Sequence, residues 1–172
     1  MEVNKQIVKI STPRSKTTQI RKKMPLICWD IFIEMFGGQI QTLKKEEEKS
    51  KILSLGQKFN WVNDMEALIA QNDYEALIIT DKNQKIIWVN DGFSTMTGFD
   101  KKYAINKTPR FLQGEKTSPE TKSKIKKKLQ LNTPFKEVII NHRKDKSTYK
   151  CEVKIVPLKS DKTTHFMGSE GP

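Results

Sequence analysis

The apolar pattern changes period at Tyr74, and the segment that follows limits the fold more than any other feature of this chain. Ala76-Leu-Ile-Ile-Thr80 and Lys85-Ile-Ile-Trp-Val89 are rich in β-branched and aromatic residues and flank the polar stretch Asp81-Lys-Asn-Gln84. Two such runs around a short polar turn read as an antiparallel hairpin. Asp91 is expected to cap a short helix holding Phe93 and Met96, which Gly98 closes. A helical patch follows near residues 106–114. A longer helix then runs to about Leu131 from Pro119, a residue suited to the first helical position. Further strands are expected over 135–141, 148–158 and 163–169, with Arg143-Lys-Asp-Lys-Ser147 as the turn between the first two. This order predicts an α+β domain: a five-stranded antiparallel sheet with short helices on one face.

Upstream the chain reads differently. Residues 1–24 are polar, basic and non-periodic, interrupted by Pro13 and followed by Pro25, and are expected to form a disordered arm. Residues 25–72 are expected to form a helical extension. Within it Trp29, Phe32, Met35, Phe36, Ile40 and Leu43 recur at three- and four-residue steps, as on an amphipathic helix. Gly37-Gly38 falls inside that stripe, at roughly 1 kcal/mol per glycine relative to alanine, so a kink or break is predicted there. Beyond the charged run Lys44-Lys45-Glu46-Glu47-Glu48-Lys49 comes a second stripe, Leu55, Phe59, Val62, Met65 and Ile69. Its spacing suits either a short coiled-coil seam or a helix lying across a sheet. The sheet domain itself is assigned to residues 73–170.

The 172 residues suffice for one sizeable core plus an extension, and the net charge is +12. That charge invites a nucleic-acid or anionic-membrane partner. Its distribution argues otherwise. Lys5, Lys9, Arg14, Lys16, Arg21, Lys22 and Lys23 face a single acid, Glu2, in the amino-terminal arm, and a further cluster over 122–128 lies on one predicted helix. Lysine runs of this kind read as solvated faces, and no nucleic-acid motif accompanies them. Asp30 and Glu34 share a helical face, which does not suit anionic lipid. Cys28 and Cys151 lack metal-ligand spacing and read as free buried thiols in a reducing cytoplasm. With no apolar run of membrane-spanning length and no signal peptide, a cytoplasmic location is expected.

Asn106-Lys107-Thr108-Pro109-Arg110-Phe111-Leu112-Gln113-Gly114 resembles the flavin-binding signature of light-oxygen-voltage (LOV) domains, a branch of the PAS sensor superfamily, whose usual form reads G-R-N-C-R-F-L-Q-G. Residues 110–114 match without interruption. Asn90-Asp91-Gly92-Phe93 and Thr97-Gly98-Phe99 resemble the PAS stretch N-x-G/A-F…T-G-Y, and the order of elements is the PAS order. The likeness covers about residues 74–170, somewhat over half the chain.

The resemblance implies a flavin mononucleotide (FMN) site. Arg110 matches the arginine that pairs with the phosphate, a task suited to a planar fork of donors. Gln113 matches a pocket-lining glutamine. Lys126 stands where a second phosphate-binding arginine is usual, keeping the charge and losing the fork. Asn141 matches an asparagine bonded to the pyrimidine edge of the flavin. Four positions depart from the pattern. Pro109 replaces the cysteine that bonds to excited flavin, and Thr108 replaces the asparagine before it. Cys151 replaces a second pyrimidine-facing asparagine. Glu170 replaces the glutamine facing flavin N5, where an ionised carboxylate can only accept a hydrogen bond. Burial could raise its pKa enough to let it donate. Each lost polar contact weakens binding by on the order of 1 kcal/mol, so a weaker FMN site, an FAD site or an empty one all fit these residues.

Each residue also has a purely structural reading. Threonine at the N-cap and proline at the first helical position make a competent helix start. Arg110 could form a salt bridge, and Asn141 could bond backbone at a strand end. His142 and His165 lack partners at useful spacing. No nucleophile–base pair, metal cluster or phosphate loop is present, so no enzymatic activity is expected. Two functions remain. One is a sensory module that holds flavin without a covalent bond and responds to light or redox state. The other is a cofactor-free PAS interaction module, with side chains filling its pocket and the apolar stripes of residues 28–43 and 55–69 mediating homodimerisation or docking of a separate effector.

Overall fold

The computed structural model describes residues 26–70 and 74–171. The arm assigned to residues 1–24 and the side chain of Cys28 lie outside them. The chain divides between Gln41 and Thr42 into two units.

Helix α1 spans Leu26–Lys58 and is followed by α2, Met65–Ala70. The break expected at Gly37-Gly38 is absent, because α1 continues through both glycines. Extending an existing helix is far easier than nucleating one, so a long helix absorbs the unfavourable glycine propensity. In the first unit the side chains from Ile31 to Gln41 are all exposed.

The second unit carries the sheet. Strands β1 (Ala76–Asp81), β2 (Ile86–Val89), β3 (Phe135–His142), β4 (Thr148–Lys159) and β5 (Thr163–Gly171) form one antiparallel sheet in the order β2-β1-β5-β4-β3. Between β2 and β3 run α3 (Asp91–Thr97), α4 (Lys101–Ala104), a 3-10 turn (Pro109–Leu112) and α5 (Pro119–Gln130). The predicted α+β architecture is therefore present. In the β1–β2 turn Asp81 Oδ1 accepts from the backbone of Asn83 and Lys85, both at 2.8 Å, which closes the hairpin.

Period-two alternation gives the sheet two apolar faces. On one, Ala76, Ile78, Ile86 and Val89 pack with Phe93, Ala104 and Leu112 from the short helices. On the other, Leu77, Ile79, Leu158 and Met167 pack with Ile52 of α1, Trp61 and Met65. Each buried Val, Leu, Ile, Phe or Met among them contributes roughly 1.5–3 kcal/mol by leaving water. The second stripe thus lies across the sheet and is not a coiled-coil seam. It is also not one helix: α1 ends at Lys58, Asn60 takes φ +53°, and Val62 is exposed. The intervening turn is pinned to the end of β4 by Val62 N donating to Lys159 O at 2.8 Å and Lys159 N to Asn63 Oδ1 at 2.8 Å.

Two local expectations need correction. Asn90, not Asp91, caps α3: its Oδ1 accepts from Phe93 N at 2.9 Å and Leu77 N at 2.8 Å, while its Nδ2 donates to Glu75 O at 3.2 Å. Only an amide offers the acceptor and donor that this buried bridge needs, and the Asp91 carboxylate instead pairs with Lys101 and Lys44 at the surface. Gly92 follows because a Cβ there would sit 1.6 Å from Glu75 O. Thr108 is at the N-cap of the 3-10 turn with Pro109 next, as expected, yet its side chain makes no capping bond. No helix among the described residues is long and apolar enough to cross a membrane.

Candidate functional site

The inner face of the sheet, the 3-10 turn and α5 enclose a cavity of about 440 Å³. Ligand pockets typically fall between about 300 and 1,000 Å³. Three kinds of surface line it. The 3-10 turn presents Pro109, Arg110 and, just after it, Gln113, while α5 presents Lys122, Ile125, Lys126 and Leu129 from one face. Strands β1, β4 and β5 supply Ile78, Thr80, Val153, Ile155, Phe166 and Glu170. Arg110 and Lys126 are exposed and Glu170 is buried, so the cavity runs from a cationic mouth past apolar walls to a carboxyl.

Glu170 is 3% exposed, and its Oε2 accepts from the Tyr149 hydroxyl at 3.3 Å. Burial pushes its pKa up to about 7, against a lowering by its hydrogen bonds from Tyr149 and Cys151. Below that pH the carboxyl is neutral and can donate. Burial first, then the Glu170 charge, raises the Tyr149 hydroxyl and the Cys151 thiol, so both keep their protons. The Cys151 Sγ accepts from Asn141 Nδ2 at 3.7 Å and donates to Ile139 O at 3.9 Å. A protonated, buried thiol of this kind is a poor nucleophile.

The structure therefore brings Pro109, Arg110, Gln113, Lys126 and Glu170 to one cavity. It places Thr108 just outside, on the extended backbone before the turn. Asn141 and Cys151 bond each other on β3 and β4 and do not line the cavity wall. Among the described residues Arg110 forms no ion pair. Two groups escaped the sequence reading, Lys122, which lines the cavity, and Tyr149, which bonds Glu170. Tyr149 is the cross-strand partner of Asn141, a pairing legible only once the β3–β4 register is known. Lys122 stands four residues before Lys126, a helical spacing that could have marked both as one face. His142 is stacked on the turn: a Cβ on Gly114 would lie 2.5 Å from its Cε1. His165 lies on the opposite face of the sheet, where its Nδ1 accepts from Trp61 Nε1 at 3.2 Å.

A sequence model of the PAS domain family matches residues 75–169, the segment that carries this sheet and cavity. The chain belongs to the PAS domain family. Among curated relatives of this PAS domain, a blue-light photoreceptor of Listeria monocytogenes is 35% identical over 96 residues, covering 54% of this chain and 38% of that protein. Blue-light-activated histidine kinase 2 of Erythrobacter litoralis is 30% identical over 92 residues, covering 52% of this chain and 27% of that one. The similarity thus spans less than half the length of these relatives. Among solved structures, the LOV domain of the Erythrobacter litoralis EL346 blue-light activated histidine kinase aligns with a TM-score of 0.55 and 30% identity. That alignment covers 58% of this chain and 96% of that domain. The relatives thus include blue-light photoreceptors, and a LOV domain is among the solved structures it resembles, which supports a sensory, signal-transducing module.

Proposed function

We propose that this PAS domain is a sensor that holds a flavin, FMN in the first instance, without a covalent bond and responds to light or redox state. The cavity carries this reading: its cationic mouth, apolar walls and buried acid match a phosphate, a flat ring system and a polar ring edge. Arg110 and Lys126 would hold the phosphate, and Gln113 and Glu170 would meet polar atoms within the cavity. A bound flavin supplies absorption of blue light and reversible electron uptake. Pro109, which lines the cavity where the matched signature has its reactive cysteine, offers no thiol. Cys151, buried and protonated, does not substitute for it. Signalling then depends on hydrogen bonding at the sheet. Glu170 lies on β5, whose opposite face packs through Met167 against the cluster that holds Ile52 of α1, so a changed hydrogen bond at Glu170 can bias that packing.

The reading is tested by the visible spectrum of the purified chain before and after adding FMN. Flavin bands retained through gel filtration are expected, and illumination followed by denaturation should release all the flavin unmodified. A folded chain that takes up no flavin at any concentration tried refutes it.

A cofactor-free interaction module would have its pocket filled by side chains, whereas the cavity of about 440 Å³ favours a bound ligand. One part of it keeps a specific support. Ile31, Phe32, Ile33, Met35, Phe36, Ile40 and Leu43 are each 46–64% exposed, with Glu34 the one charge among residues 31–43. We propose that this half of α1 pairs with a second copy of the chain. Leu55, Phe59, Met65 and Ile69 are packed with the sheet and leave no second stripe for the purpose.

A further inference from the structure

We propose that Lys122 is a third anion-binding group of the cavity and selects a ligand ending in a phosphate monoester over the same ligand without it. The inference rests on the flavin reading and deepens it. Lys122 and Lys126 are one helical turn apart on α5, and with Ile125 and Leu129 they form the face of that helix that lines the cavity. Arg110 closes the same mouth from the 3-10 turn.

Among the described residues no acid pairs with any of these three cations, although Lys128 of α5 pairs with Glu137 at 2.8 Å. Glu170 is the sole carboxyl lining the cavity among the described residues, and it is 3% exposed on β5. The placement also works against α5 itself. Like charges four residues apart repel, and Lys122 stands near the amino-terminal end of the helix, where the macrodipole disfavours a cation. Lys122 is partly buried and lines the cavity, whereas Lys124 and Lys127 of the same helix are exposed and do not line it. A dianion at the mouth relieves all of these repulsions together, and an uncharged ligand end relieves none.

The experiment compares FMN with riboflavin, which differ only by the phosphate, in fluorescence titrations of the full chain. FMN is expected to bind at least about tenfold tighter than riboflavin, with the gap narrowing as salt is raised. Lys122→Met should weaken FMN by about tenfold, the size of one charge-assisted hydrogen bond, and leave riboflavin within about twofold. Lys122→Arg should retain FMN affinity. Circular dichroism establishes that each variant is folded. If Lys122→Met leaves FMN affinity unchanged, or weakens FMN and riboflavin equally, the proposal is overturned while the flavin reading stands. If the folded parent binds neither flavin, both fall.

Discussion

Glu170 is 3% exposed, and burial outweighs its hydrogen bonds in raising its pKa from 4.5 to about 7. Between those values the folded chain keeps a proton that the unfolded chain has released, so stability falls as pH rises through this window. Below 4.5 the group is neutral in both states and the loss is absent. Above about 7 the group is charged in both and the loss is complete, at about 3 kcal/mol. Glu170→Gln has the same shape and no charge. It should unfold in urea at the parent's midpoint near pH 4 and be more stable than the parent by up to about 3 kcal/mol at pH 8. An identical difference at both pH values would show that the carboxyl does not titrate as described. At this scale the sequence was legible in part. The match of Arg110 and Gln113 to the flavin signature pointed to residues that do line one cavity. That Cys151 turns to Asn141 and Ile139, and that Tyr149 reaches Glu170, could not be read, because cross-strand contacts depend on register.

At the scale of elements, the carboxyl-terminal half of α1 is held by a few residues. Ile52 is fully buried against Leu77, Ile79 and Met167. Ile52→Ala should cost about 3 kcal/mol through lost transfer energy and the residual cavity, with the unfolding transition shifted and still single. A loss under about 1 kcal/mol by chemical denaturation would mean that the outer face is not sealed by this helix. The five strands were readable as alternating runs separated by polar turns, and each appears within a residue or two of its expected place. The glycine pair in α1 and the cap of α3 were misread for the same reason. Local propensity was given a weight that helix propagation in one case and a buried, doubly bonded amide in the other overrode.

Across the whole molecule the exposed apolar stripe of α1 is the feature that a single copy leaves to water. Ile33 and Ile40 are two turns apart on one face and 54% and 46% exposed. The parent chain should sediment as a dimer at micromolar concentration, and the double substitution Ile33→Glu, Ile40→Glu should yield a monomer with an unchanged melting temperature. A parent that stays monomeric, or a variant that stays dimeric, removes this surface as the interface. Composition and periodicity determined the class of fold, since alternation fixes which residues can face a core wherever the strands pair. That position 109 is a proline and offers no thiol was plain from residue identity alone. Only the tertiary structure decided that α5, the 3-10 turn and the sheet leave a cavity between them, and that Arg110, Lys122 and Lys126 line it together. Convergence of residues far apart in the chain is set by packing, which no local pattern encodes.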